Sequence, residues 1–280
     1  RVRKIKFDVG VFLNISEDHI SPTEHEDFED YFSAKLSLFK QTKTACVNLD
    51  SDQAKRVLAA ARMSDQVITF GTKGNPDILG SNICMKDRTL SFDVECREFR
   101  QHFTLAMHGM FNVENALAAI AAAYAMGIPV KYMAAGLAKT KVQGRMEEYV
   151  SADGRLQVIV DFAHNRLSFE KLFDSVLMEH PDARIVTIFG CPGGKAFNRR
   201  RDLGLIAGLF SEKVYLSADD PGIESPQDIA REIGGYLEVT GCPYEYIEDR
   251  GQAIQRAIQE VERKTVLLVL GKGNEARQKY

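Results

Sequence analysis

From residue 156 onward, short apolar runs and amphipathic helical patterns take turns without a break. Strand-like runs occupy 156–162, 184–189, 213–217, 244–247 and 265–270, with 3.6-period stretches at 167–178, 200–210, 226–237 and 251–263 between them. A run such as Thr265-Val266-Leu267-Leu268-Val269-Leu270 has no polar face, so it reads as a strand covered on both sides. Parallel neighbours of this kind need helical crossovers, and the alternation therefore predicts a Rossmann-like, doubly wound parallel sheet. Ligands of such sheets bind outside the carboxyl ends of the strands. Those ends carry Asp161-Phe162-Ala163-His164, the loop 190–195, Asp219-Asp220-Pro221-Gly222 and Gly271-Lys272-Gly273-Asn274-Glu275. Four polar or glycine-rich loops on one edge make that edge the candidate site.

The first half is also α/β but less regular. Strand 7–15, helix 27–39, strand 45–49, helix 52–62 and strand 66–70 predict parallel pairing. Three alternating stretches, 78–85, 89–96 and 99–107, are separated by Lys86-Asp87-Arg88 and Arg97-Glu98 and predict a small antiparallel sheet. An alanine-rich helix follows from Val113 to Met126, with Asn112 at the cap position and Gly127-Ile128-Pro129 as the stop. A short helix over 130–138 leads to a hinge at 140–146. The domains are thus expected over 1–143 and 144–280. The run Phe7 to Ile15 is apolar nearly throughout, as in a strand buried on both faces. Such a strand rarely opens a domain, so neighbouring strands are expected from sequence upstream of Arg1.

Of the 280 residues, 45% are hydrophobic and 27% charged, with a net charge of −3, which suits an ordinary globular protein with a sizeable core. Scattered Lys and Arg give no footprint for nucleic acid, and no apolar run reaches the ~18 residues a membrane span needs. Five cysteines without paired short spacings suggest neither a disulfide framework nor a zinc ribbon, and a reducing cytoplasm is the expected setting.

One lysine stands out. Phe28, Tyr31, Phe32, Lys35, Leu36 and Phe39 recur at spacings of three and four, which would put Lys35 within an apolar helical stripe. Burial there would favour a neutral, nucleophilic amine, whereas a stem lying on the core with its head in water is the plainer alternative. His19, after Asp18 at the end of the first strand, is a candidate metal ligand. His164, at a strand end, could touch phosphate or water, or be a solvated loop residue. Two other motifs are decoys. Gly190-Cys191-Pro192-Gly193-Gly194-Lys195-Ala196 has its glycines too close together for a phosphate loop, with Ala196 in place of the hydroxyl residue. The Gly271–Ala276 stretch fits a dinucleotide fingerprint, but the chain ends at Tyr280 without the required helix and acid.

Together these stretches resemble the Mur ligase family, and within it the tripeptide-synthetase (MurE) type. The resemblance rests on Asn14-Ile15-Ser16-Glu17-Asp18-His19, Tyr31 to Phe39, Phe111-Asn112-Val113-Glu114-Asn115-Ala116-Leu117, Gly144-Arg145-Met146-Glu147, Asp161-Phe162-Ala163-His164, Asp219-Asp220-Pro221 and Gly271–Glu275, in the family's order along the whole chain. It implies the carboxy-terminal part of a central ATPase domain followed by a Rossmann-like domain. The implied activity is ATP- and magnesium-dependent amide formation between a UDP-MurNAc-dipeptide carboxylate and an amino acid.

The resemblance also implies roles. Lys35 would be carbamylated and share magnesium with His19. Asn112 would contact adenine, Arg145 the nucleotide and Asp161 the ribose. Lys195, with Arg200 as a second candidate, would grip the amino acid's carboxylate. Asp219, Asp220, Gly271 and Glu275 would line its pocket. Relatives that add diaminopimelate have Arg where Gly222 stands, so L-lysine is the expected amino acid. Asn274 and Asn165-Arg166 depart from the family pattern. The family's phosphate loop and magnesium-binding glutamate are expected upstream of Arg1, so the chain by itself is expected to be inactive. Another ligase of this superfamily, such as a folylpolyglutamate synthetase, and a non-catalytic nucleotide- or amino-acid-binding module are the alternatives.

Overall fold

The computed structural model describes residues 5–21, 24–86 and 89–278. The chain forms two compact units, Arg1–Ile15 with Glu29–Lys141, and Ser16–Phe28 with Val142–Tyr280. The expected turn at Asp87-Arg88 lies outside the described residues, as do Arg1 and Tyr280.

In the first unit, β1 (Phe7–Phe12), α1 (Phe28–Leu36), β2 (Thr42–Asn48), α2 (Ala54–Ala61) and β3 (Gln66–Gly71) are followed by β4 (Ile78–Lys86), β5 (Thr89–Glu95) and β6 (Arg100–Leu105). The helices α3 (Phe111–Ala125) and α4 (Val130–Leu137) close the unit. All six strands belong to one sheet in the order β1-β2-β3-β4-β5-β6. The antiparallel strands are therefore not a separate small sheet. Strand β4 pairs in parallel with β3 at Phe70/Ile78 and Gly71/Leu79, then antiparallel with β5, and so welds the two parts into one mixed sheet.

α3 lies on this sheet, with Val113, Leu117, Ile120 and Ala121 in a core shared with Ile68, Leu90 and Phe103. Gly80 allows the close approach, because a Cβ there would press on the Leu117 side chain. Strand β1 is at the sheet edge and ends at Phe12, three residues sooner than expected. Its burial alternates, with Gly10 and Phe12 more covered than their neighbours, so it is not a strand enclosed on both faces.

The second unit adds β7 (Glu147–Val150), β8 (Leu156–Asp161), α5 (Arg166–Glu179), β9 (Arg184–Phe189), α6 (Asn198–Phe210), β10 (Lys213–Leu216), α7 (Pro226–Thr240), β11 (Tyr244–Tyr246), α8 (Arg250–Gln259) and β12 (Thr265–Leu270). The sheet order is β11-β10-β9-β12-β8-β7. β12 lies at its centre, paired in parallel with both β8 and β9, and every one of its residues is buried. Burying a Leu or Val side chain contributes about 1.5–3 kcal/mol, which explains why this strand carries no polar face.

Only β7 runs antiparallel, against β8. Its sequence, Glu-Glu-Tyr-Val, has no apolar period, and the strand was not expected. Helices α5, α7 and α8 start on side-chain caps: Asn165 forms a capping box with Ser168, and Ser225 and Asp249 accept from the backbone N–H three residues on. No helix among the described residues is long and apolar enough to cross a membrane.

Candidate functional site

In the first unit, a cleft of about 450 Å³ opens at the carboxyl end of β1, lined by Asn14, Ile15, Tyr31, Lys35 and Gln41 among others. Lys35 reaches it from the last turn of α1, its Nζ 5.2 Å from the centre of the Tyr31 ring. The side chain is exposed, so the expected burial is not observed. Of the nine residues of α1 only Phe32 is buried, and Tyr31 and Lys35 lie along the open cleft instead. Phe32 and Phe39 are buried against Phe12, while Lys35 turns to water.

Asn112 is buried inside the first turn of α3 and does not cap it. Its Nδ2 donates to the His108 carbonyl at 2.5 Å and its Oδ1 accepts from Asn115 at 3.0 Å. The helix starts earlier than expected because Gly109, at φ +80°, turns the chain and accepts the Asn112 N–H.

In the second unit, the segment carrying His19 is anchored by a buried ion pair. Asp18 accepts from Arg199 Nε at 2.8 Å and Nη2 at 2.9 Å, and from Asn165 Nδ2 at 3.2 Å. Burial works to raise the Asp18 pKa, but the hydrogen bonds and charge of Arg199 hold it below the usual carboxylate value. His19 itself, at φ +56°, is half-buried, with Nδ1 2.8 Å from Glu24 Oε1. Where Glu24 accepts the Nδ1 proton, the imidazole carries its lone pair on Nε2, the tautomer a metal ligand needs.

The carboxyl edge of the second sheet gathers the other candidates. Asp161 ends β8, and its two oxygens accept from the Met146 and Ala163 N–H groups at 2.8 and 2.7 Å; burial raises its pKa. The Arg145 guanidinium lies 4.4 Å from the centre of the Phe162 ring, which meets His164 edge-on at 4.7 Å. His164 donates from Nδ1 to the Phe162 carbonyl at 2.7 Å, and burial lowers its pKa. Gly144 lies against the backbone of Gly273 and Asn274, where a Cβ would not fit, and so ties the segment around Arg145 to the last loop.

Asp219 and Asp220 follow β10, and Gly271 and Glu275 follow β12. Lys272, whose role the sequence did not disclose, has its Nζ 2.6 Å from Asp220, 3.4 Å from Asp219 and 3.5 Å from Glu275. Arg250, at the start of α8, approaches Asp219 from the other side at 3.5 Å. Gly271, at φ +101°, passes so close that a Cβ would meet the Asp219 carboxylate.

Lys195 is exposed in its loop. Arg200 is buried, pairing with Glu232 at 2.7 Å and with both Glu224 oxygens at 2.8 and 2.9 Å. A guanidinium so engaged is already committed to internal carboxylates. Gly190 and Gly193 sit where a Cβ would run into the Ser217 and Pro221 carbonyls, so the glycines of the false phosphate loop serve loop-on-loop packing. Asp18, Arg199, Glu24, Arg250 and Lys272 pair with or adjoin the candidate residues, and the sequence did not single them out. Asp18 and Lys272 stand within Asn14–His19 and Gly271–Glu275, but nothing in the spacing shows which of Arg199, Arg200 and Arg201 turns toward Asp18.

Comparison with known proteins identifies the domains. Residues 1–123 match the Mur ligase middle domain, and residues 144–273 match the Mur ligase glutamate ligase domain. The chain is 38% identical over 280 residues to the UDP-N-acetylmuramoyl-L-alanyl-D-glutamate--L-lysine ligase of Streptococcus pyogenes serotype M4, covering 99% of this chain and 56% of that protein. It spans about half the length of the curated relatives it matches. Among solved structures, a Mycobacterium tuberculosis folylpolyglutamate synthase complexed with ADP matches with a TM-score of 0.77 at 17% identity, over 94% of this chain and 60% of that one. MurF from Acinetobacter baumannii matches with a TM-score of 0.71 at 19% identity, over 94% and 56%. These two share the fold.

Proposed function

This chain belongs to the Mur ligase family, and we propose that it is the latter part of the central domain (1–143) and the carboxy-terminal domain (144–280) of a cytoplasmic ligase that adds L-lysine to UDP-MurNAc-L-Ala-D-Glu. The observation that carries the reading is the meeting of four strand-end loops at one edge of the second sheet. A stacked Arg145-Phe162-His164 group with Asp161 lies on one part of it, and a carboxylate-rich group, Asp219, Asp220 and Glu275, on another. The first suits a nucleotide, the second an amino acid rich in positive charge. The name of the Streptococcus relative points to the same amino acid.

The chemistry is two displacements. The dipeptide carboxylate takes the γ-phosphoryl group of ATP, releasing ADP and forming an acyl phosphate. The amine of the amino acid then attacks the acyl carbon, a proton is lost, inorganic phosphate leaves and an amide remains. In the second unit Arg145 and Asp161 hold the nucleotide and His164 stays neutral beside them, and in the first unit Asn112 is the residue proposed for adenine. Asp219, Asp220, Gly271 and Glu275 seat the amino acid. Lys195 reaches its carboxylate more readily than Arg200, which Glu224 and Glu232 already hold.

In the second unit His19, oriented by Glu24, is suited to ligate a metal ion; in the first, Lys35 would be suited only as a carbamate, because an ammonium offers no lone pair. Magnesium held by such ligands would offset the charge of the transferring phosphoryl group. No Gly-Lys-Thr/Ser phosphate loop occurs in these 280 residues, so the chain alone is not expected to turn over ATP.

The test is to incubate the full-length protein that carries this chain with ATP, magnesium and UDP-MurNAc-L-Ala-D-Glu, and to follow phosphate release as L-lysine is added. Lysine-dependent release with a product one lysyl residue heavier supports the reading. Release that ignores added amino acids contradicts it.

A further inference from the structure

Lys272 is the least expected member of the carboxyl-edge cluster. Its side chain is only 10% exposed, yet it places an ammonium among all three carboxylates assigned to the amino-acid pocket. It also donates to the Arg277 carbonyl at 3.1 Å, which folds the end of the chain back over the loop. Its closest partner, Asp220, is held at φ +46°, a left-handed conformation uncommon for residues other than glycine. The Asp220 carbonyl in turn accepts from the Gly193 N–H at 3.2 Å, in the loop that carries Lys195. One ammonium therefore links three of the four strand-end loops, directly or through a single residue.

A carboxylate offers about four lone-pair sites, so accepting from Lys272 still leaves each acid able to accept from a substrate amine.

We propose that Lys272 is a positioning residue of the amino-acid pocket. It holds the three carboxylates together against their mutual repulsion, in the arrangement that receives the substrate amine. This rests on the reading of the pocket given above, and it is independent of Gly222.

The experiment is calorimetric titration of L-lysine, and separately of ADP, into the full-length wild-type protein and its Lys272→Met and Lys272→Arg variants, with melting temperatures recorded in parallel. The expected result is a loss of L-lysine affinity of about tenfold or more in Lys272→Met, with ADP affinity unchanged and much of the loss recovered in Lys272→Arg. L-lysine affinity unchanged in Lys272→Met overturns the proposal, as do parallel losses of L-lysine and ADP affinity with a lowered melting temperature, which mark a purely structural lysine. Wild-type protein that binds ADP but no L-lysine removes the pocket reading itself, and this proposal with it. The Lys272→Arg variant guards against misfolding of Lys272→Met, since it keeps a cation beside the three carboxylates, and failure of Lys272→Arg to bind L-lysine better than Lys272→Met counts against the proposal.

Discussion

Two of the chain's lysines, Lys35 and Lys272, make opposite use of the same side chain. In the first unit Lys35 is exposed and lines a cleft of mixed polar and apolar character, with an aromatic face as its neighbour. In the second unit Lys272 is buried and meets three carboxylates. The difference extends to their surroundings. Charged side chains at the carboxyl edge of the second sheet are already matched within the unit, as with Asp18 and Arg199, or Arg200 with Glu224 and Glu232. A matched group is positioned and costly to disturb, whereas an exposed one can be modified or can meet a ligand at little cost to the fold.

The largest expected effect separates the two lysines by function alone. In the full-length protein, Lys35→Ala should lower ligation by on the order of 100-fold or more, the scale on which removing a group that stabilises transition-state charge acts. Its melting temperature should stay near the wild-type value, because substitutions at exposed positions usually fall within about 0.5 kcal/mol. A large loss of stability with Lys35→Ala would erase the contrast with the second unit.

Next in size is the Asp18–Arg199 pair. Arg199→Met leaves a buried carboxylate without its partner, and urea denaturation should show a loss of about 3–5 kcal/mol. Replacing both partners, Asp18→Leu with Arg199→Met, should recover a good part of that loss, since an apolar pair carries no desolvation cost. If the single substitution cost as little as one at Lys35, the pair would not be the anchor described.

Acid should find the same anchor more gently. Asp18 has a folded-state pKa below its unfolded value of about 3.9, so its stabilisation is complete above that value and drains as the pH falls through the folded one. His164 is shifted down from about 6.5 by burial, so the unfolded chain takes up its proton first and stability begins to fall below that pH. Denaturation midpoints across pH 7 to 3 should thus decline in two stages, and His164→Gln should remove the earlier one.

The smallest effect concerns Gly222, exposed at φ +62° with open space where a Cβ would sit. Gly222→Arg should cost about 1 kcal/mol of backbone strain and move amino-acid preference toward diaminopimelate. A preference that stays with L-lysine would assign the choice to the carboxylate cluster and not to this position.

The second sheet was legible because its inner strands β9, β10 and β12 are almost wholly buried, and such runs have few other solutions. β7 escaped notice because an exposed four-residue edge strand writes no apolar period. Asn112 looked like a cap because polar residues before alanine-rich runs usually are, yet Gly109 turned the chain sooner and carried Asn112 into the helix. Helical spacing puts Lys35 in an apolar stripe, but α1 buries only Phe32, and the side of the helix that carries Tyr31 and Lys35 lines an open cleft. The candidate residues themselves could be picked out from the sequence. Their pairings could not, because Asp18 and Arg199 are 181 positions apart and only the fold brings them together.

The most direct measurement is a competition. The full-length protein is given ATP, magnesium, UDP-MurNAc-L-Ala-D-Glu and equal concentrations of L-lysine and meso-diaminopimelate, and the product is weighed by mass spectrometry. A product carrying one lysyl residue, with the diaminopimelate adduct a minor species, is the predicted result. A predominantly diaminopimelate product, or no amino-acid adduct at all, would contradict the account.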